Sequence, residues 1–329
     1  MHPNKLFSLV VKRLISSLIV LFFMVCFIFI LLRISPGDPV LKFVSPELNP
    51  ALAQKAKESF GLDKPLAAQF IQFISNILSG DFGISYNFRI PVTQVLKNHL
   101  PFTILFTLSS FIIQLITGYF LARISINKIN GLVDRVLSKS SLALYALPSF
   151  FAGVFLIFIF SEKLKLLPAS GFSSFGIESF SMVDKIADYI SHMILPLITL
   201  SLGGIAVYYK YLRDNLEKIF TEPWVLNLYS YGLTEKEVIN KHIIPNALTP
   251  LISVAGVELG ILFSSALVTE VIFSLPGMGR LTVNAILARD YPLVVGCTFT
   301  SGVLIIISNL LADLLKSRID KRNLREMLN

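Results

Sequence analysis

The chain has 329 residues, of which 54% are hydrophobic and only 15% charged, and its mean hydropathy is +0.71. Ordinary soluble domains carry about 25% charged residues, so this composition excludes a soluble domain and indicates a multi-pass membrane protein. The 29 Lys and Arg outnumber the 21 Asp and Glu, but they are spread between apolar stretches rather than gathered in one patch, which argues against a nucleic-acid partner.

Residues Leu14 to Leu32 carry no charge and are bracketed by Lys12, Arg13 and Arg33. At about 1.5 Å per residue they cross about 30 Å of hydrocarbon. No small-residue cleavage pattern follows them, so they read as a retained first span rather than a signal peptide. A long loop runs from Ile34 to His99, and within it the Ala-, Lys- and Glu-rich stretch 51–62, stopped by Gly61, predicts a short helix.

Five further spans are predicted at Leu100–Ala122, Leu137–Phe160, Ile194–Tyr211, Pro250–Phe273 and Leu293–Leu315. The expected fold is all-α with six transmembrane helices: residues 1–99 hold the first span and its long loop, and residues 100–329 hold a five-helix domain. Six spans put both termini on one side of the membrane. With Lys139 and Lys210 taken with the loops they adjoin, that side receives 17 of the 29 basic residues, which favours cytoplasmic termini.

Between the fourth and fifth spans lies a polar, helix-patterned segment, Glu222 to Pro250, punctuated by Gly232 and Pro245. On this topology it faces the cytoplasm, where a soluble partner can grip it. In the fifth span Gly256, Gly260 and Ser264 recur every four residues as a packing seam. Glu258 sits about 200° around the helix from Gly256, with Ser265 and Thr269 near its meridian. An ionisable residue inside a span usually faces a water-filled cavity or a partner, so Glu258, Ser265 and Thr269 are candidates for a translocation path. Glu270, near the outer end, is a further candidate, for gating or loop anchoring as much as for substrate contact. Asn309 and Asp313, one turn apart in the sixth span, are read as helix ties.

Cys26 and Cys297 lie in apolar stretches, and His2, His99, His192 and His242 are far apart, so no metal site is legible. No GxxxxGK[ST] loop, GxSxG elbow or HExxH pair occurs. The chain is therefore expected to be no enzyme and to hold no cofactor.

Gly232 followed by Pro245, on a loop before the penultimate span, resembles the EAA loop of binding-protein-dependent ABC importer permeases. LLRISPGDP at 31–39, FGLDKPLAAQF at 60–70, SGDFGIS at 79–85, LPASG at 167–171, TEVIFSLPGMGRL at 269–281, ARDYPLVVG at 288–296 and NLLADLL at 309–315 are similar, in order, to the oligopeptide and dipeptide permease family. The resemblance implies import of peptides across a bacterial inner membrane. It also implies a second homologous permease subunit, two ATPase subunits that bind ATP and Mg, and an extracytoplasmic substrate-binding protein. The loop would then dock on an ATPase, with Leu228, Ser230, Gly232 and Leu233 at its tip and Lys241, His242, Pro245 and Asn246 on its second helix. Nickel or metal-chelate uptake is the alternative within the family, and an ion-driven secondary transporter is a distant one. The chain departs from its family at Leu226, Tyr229 and Tyr231, where basic residues are usual, and at Lys321 in the tail, where Pro is. The loop's departure predicts an apolar docking surface.

Overall fold

The computed structural model describes residues 3–34, 64–127 and 129–319. The expected helix at 51–62, the SPGDP stretch and the tail at Lys321 lie outside the described residues. The helices are α1 (Pro3–Ile34), α2 (Leu66–Leu78), α3 (Val92–Ile126), α4 (Leu132–Ala146), α5 (Ser149–Leu156), α6 (Met182–Phe220), α7 (Pro223–Ser230), α8 (Glu235–Glu237), α9 (Ile244–Ile272), α10 (Met278–Leu287) and α11 (Tyr291–Ile319). Wider π-helical turns extend α5 over Ile157–Lys163 and join α8 to α9 over Val238–Ile243. No named strand occurs among the described residues, and a single bridge pairs Ile84 with Pro91.

Among the described residues, five helices are long and apolar enough to cross a membrane. The sixth expected span, Leu137–Phe160, is not continuous: α4 and the α5 run meet at 103°. The cause is local. Pro148 disfavours helical geometry in the residue before it, and Leu147 is extended at φ −79°, ψ 120°. The backbone restarts as α5 directly after Pro148.

The bundle centre is the pairing of α3 with α6, which run in the same direction. Ser110 meets Ser201 at 2.8 Å, the Gln114 amide donates to the Leu200 carbonyl at 3.1 Å, and Ser125 meets the Tyr209 hydroxyl at 3.0 Å. Backbones approach this closely because Gly118 and Gly204 lie at the contact: a Cβ on Gly118 would stand 2.6 Å from that of Tyr208, and one on Gly204 would overlap Gln114. α9 packs on α6, and α11 crosses α9 in the opposite direction at the predicted seam. Gly256 lies against Ala312, and Gly260 against Asn309 and Ile305. Ser264, the third member of the stripe, is exposed and lies off that seam. α1 packs on the outside of α11, where Gly302 meets Met24.

Exposed Leu18, Val20, Phe23 and Phe27 on α1, and Leu105, Ile112 and Phe120 on α3, form apolar faces suited to hydrocarbon or to another membrane subunit. Cys297 is buried and Cys26 half-buried, both as free thiols.

Candidate functional site

Two regions carry the candidate residues, and helices α6 and α9 run through both.

The first is the polar segment. α7 begins with Pro223 in its first turn, a position where the missing N–H costs nothing. It ends at Tyr231, and Gly232 turns the chain at φ +81° with open space around the place a Cβ would occupy. Thr234 then starts α8 with a capping box: its side chain accepts from the Glu237 backbone N–H, while Glu237 accepts from the Thr234 N–H at 3.2 Å and from its hydroxyl at 2.9 Å. These donors, with the Lys241 ammonium at 3.1 Å, hold the Glu237 carboxyl below its ordinary range. The result is a knob of two short helices with a glycine tip.

The knob has an inner and an outer face. Val225, Val238 and Ile243 are fully buried with Tyr208, Tyr209, Leu212 and Leu216 of α6 and Leu251 of α9, and Leu228 and Leu233 pack against that cluster. Leu228 and Leu233 thus face inward, whereas the sequence expectation put them at the tip. Ser230 and Gly232 are exposed there, as are Lys241, Pro245 and Asn246 farther along, with His242 half-buried. The Asn246 amide donates to the His242 carbonyl at 2.7 Å. Tyr231 is 84% exposed, Leu226 69% and Tyr229 37%. The positions that depart from the family pattern therefore make an open apolar surface.

The second region is a cleft along α4, α6 and α9. Ser138, Lys139, Ser141, Leu142 and Tyr145 of α4, Lys210 and Asp214 of α6, and Glu258 of α9 surround a space of about 570 Å³. A further 230 Å³ lies at the α4–α5 bend, walled by Leu147, Ser149, Gly203, Glu258, Ile261 and Ser265. Glu258, Tyr145 and Val207 border both. Glu258 and Ser265 thus share one cavity wall. Thr269 does not join them: it is fully buried, with its hydroxyl unpartnered.

Glu270 is also fully buried, but in another setting. One carboxylate oxygen accepts from the Thr103 hydroxyl at 2.7 Å, and the other from the backbone N–H of Gly279 at 2.6 Å and of Arg280 at 3.2 Å. Thr103 in turn accepts from the Met278 N–H at 2.8 Å. The carboxylate therefore satisfies the first turn of α10 and ties it to α3. Side chains at Gly277 or Gly279 would collide with it, which gives the SLPGMGRL stretch a packing explanation. Among the translocation candidates, Glu270 is an anchor rather than a cavity-lining group.

Two buried carboxylates went unnoticed in the sequence. Asp290 accepts from the Ser85 hydroxyl at 2.5 Å and from the Asn87 N–H at 2.9 Å, and caps α11 through the Leu293 N–H. Asp134, 2% exposed, is gripped by Arg213 through Nε at 3.1 Å and Nη2 at 2.7 Å, and by the Asn130 N–H at 2.8 Å. Arg213 also reaches Glu217. This network joins α3, α4 and α6 beside the knob's buried root. Asp134 was signalled only as a charge flanking a span and Asp290 only as part of the ARDYPLVVG stretch, and neither signal distinguishes a solvated residue from a paired one.

The chain matches the family model described as "Binding-protein-dependent transport system inner membrane component" over residues 114–325. The N-terminal model of the same system matches residues 6–107. The "Probable peptide ABC transporter permease protein y4tP" of Sinorhizobium fredii is 31% identical, over 95% of this chain and 98% of that protein. The "Oligopeptide transport system permease protein AppB" of Bacillus subtilis is 29% identical over the same shares. A crystal structure of an amino acid ABC transporter with histidines covers 69% of this chain and 94% of its own, with a TM-score of 0.54 at 16% identity, and shares the fold. The long apolar helices, the glycine-tipped knob and both family models lead to one conclusion: this chain belongs to the inner membrane components of binding-protein-dependent ABC transport systems, multi-pass permeases that are not themselves enzymes.

Proposed function

We propose that this chain forms half of the path by which an ABC importer carries peptides into the cell, the other half coming from a second homologous permease. Two ATPase subunits grip the knob from the cytoplasm, where both termini also lie. An extracytoplasmic binding protein delivers cargo to the opposite face. The long loop within residues 1–99 serves that outer side, and residues 100–329 form the moving bundle.

One observation carries the reading: the buried root of the knob packs on the same two helices, α6 and α9, that wall the cleft. Val225, Val238 and Ile243 are buried with Tyr208, Tyr209 and Leu251, on the two helices that wall the cleft with Val207 and Glu258. Packed interiors transmit displacement rather than absorb it. Closure of the ATPase pair on ATP therefore shifts α6 and α9 and changes the cleft. Peptide as cargo is supported by the peptide and oligopeptide permeases that are about 30% identical over nearly the whole chain.

Docking is apolar. Leu226 and Tyr231 are the most open of the knob's large hydrophobic side chains, and aromatic hot spots at an interface cost about 2 kcal/mol or more when lost. The Leu226→Asp, Tyr231→Asp double variant, which touches no buried group, is expected to insert normally and to lose at least about tenfold of ATP-driven peptide uptake, with the ATPase no longer co-purifying. Normal co-purification of the ATPase would refute apolar docking. Nickel-dependent uptake without peptide uptake in the same assay would favour the metal alternative.

A further inference from the structure

The cleft has charge of opposite sign at its two ends. Glu258 stands where the two spaces meet, at the level of Tyr145 and the α4–α5 bend. Its carboxylate makes no hydrogen bond or ion pair among the described residues, and the buried Tyr208 hydroxyl, itself without a hydrogen bond, lies within reach of its charge. At the other end Lys210 is balanced by Asp214 at 2.9 Å, whereas exposed Lys139 has no carboxylate within ion-pair distance among the described residues. One negative group therefore lies deep between the helices and one uncompensated positive group lies at the mouth nearer the knob.

The cleft runs along α4 from Lys139 to Tyr145, the residue that borders both spaces with Glu258. From Lys139 to Tyr145 the rise along α4 is about 9 Å, close to the roughly 10 Å spanned by three extended residues. The space of about 570 Å³ falls in the range of about 300–1,000 Å³ typical of small-molecule sites. Its walls between the charged ends are Leu142, Tyr145, Ala206 and Val207, which tolerate varied side chains, while the Ser138 hydroxyl is engaged by Tyr209 and the Ser141 hydroxyl by the Ser138 carbonyl. A carboxylate left unpaired in a membrane-embedded cavity is costly unless something cationic or aqueous meets it.

We propose that this cleft is a binding site for zwitterionic short peptides, with the peptide's α-ammonium group on Glu258 and its α-carboxylate toward Lys139. The inference rests on the peptide reading above and deepens it. Each terminus is held by a single side chain, and the middle of the peptide meets mainly apolar walls. Such a site is weak enough to release cargo, as a conduction path requires, and it orients the peptide amino end inward from the knob. Blocking either terminus removes one of the two charge contacts.

The test uses the assembled permease–ATPase complex in nanodiscs, without binding protein, and reads equilibrium binding of radiolabelled trialanine, N-acetyl-trialanine and trialanine amide. The Glu258→Gln variant is expected to bind trialanine about tenfold more weakly, the scale of one lost charge-assisted contact, and to leave the already weak N-acetyl peptide unchanged. Lys139→Gln is expected to act selectively in the complementary way, weakening trialanine but not the amide. Equal weakening of all three peptides by Glu258→Gln would assign it to a structural contact, for instance with the second permease, and overturn the proposal. No saturable binding to the wild-type complex, or no effect of either variant, would also overturn it. ATP-driven peptide uptake by the complete system, measured separately, keeps failure of this site distinct from failure of the peptide reading: uptake without the binding pattern sinks only the site, and absence of uptake sinks both.

Discussion

At the scale of single residues, burial separates carboxylates that look alike in the sequence. Glu258 and Glu270 both stand in one apolar run, yet Glu270 is consumed by α10 and Thr103 while Glu258 borders open space. The run predicted that both were unusual; only the glycines at 277 and 279, nine or fewer positions away in sequence but folded back onto the carboxylate, decide which is an anchor. Asp134 and Arg213 are the stronger case, because their pairing links helices far apart in sequence and no local pattern announces it. Removing one member of a buried ion pair typically costs about 3–5 kcal/mol, since the other is left uncompensated. Arg213→Ala is therefore expected to lower the unfolding midpoint of the purified complex strongly. The Asp134→Asn, Arg213→Ala double variant is expected to be less destabilised than the sum of the singles. Additive losses in thermal unfolding would show that the pair does not act as a unit.

At the scale of elements, apolar run length located the spans, because length and hydropathy alone decide whether a helix crosses hydrocarbon. The third span shows where that signal ends. Leu137–Phe160 is largely apolar, but at Pro148 it breaks into two helices that meet at 103°, and a space lies at that bend beside Ser149 and Glu258. The proline was visible; its consequence depended on which neighbours would fill the bend. In the knob, Gly and Pro punctuation predicted the turn, and the Thr234–Glu237 capping box adds a firm start to the second helix. The periodicity did not say that Leu228 and Leu233 turn inward, because α7 is only 8 residues long and its two faces are both rich in apolar side chains. Gly232 has positive φ and nothing nearby for a Cβ to strike. Gly232→Ala should consequently cost only about 1–2 kcal/mol of local backbone strain, leaving the thermal stability of the spans near wild type while weakening ATPase association. A large fall in span stability would mean that the tip is packed rather than open.

At the scale of the whole molecule, α4, α6 and α9 wall a cleft, and the knob packs on α6 and α9 where they leave the bundle. The apolar faces on α1 and α3 leave room for hydrocarbon and for a second membrane subunit. The family models match residues 6–107 and 114–325, and on the function proposed above the energy for transport enters from other chains. The sequence lacks a nucleotide-cradling loop, and the knob supplies a surface that a separate ATPase can push. The most direct measurement is radiolabelled tripeptide uptake into proteoliposomes containing this chain, its partner permease and the ATPases, with the binding protein outside and ATP enclosed. The account predicts uptake that requires both ATP and the binding protein and that the Leu226→Asp, Tyr231→Asp variant abolishes. Peptide accumulation driven by an ion gradient without ATP would contradict it.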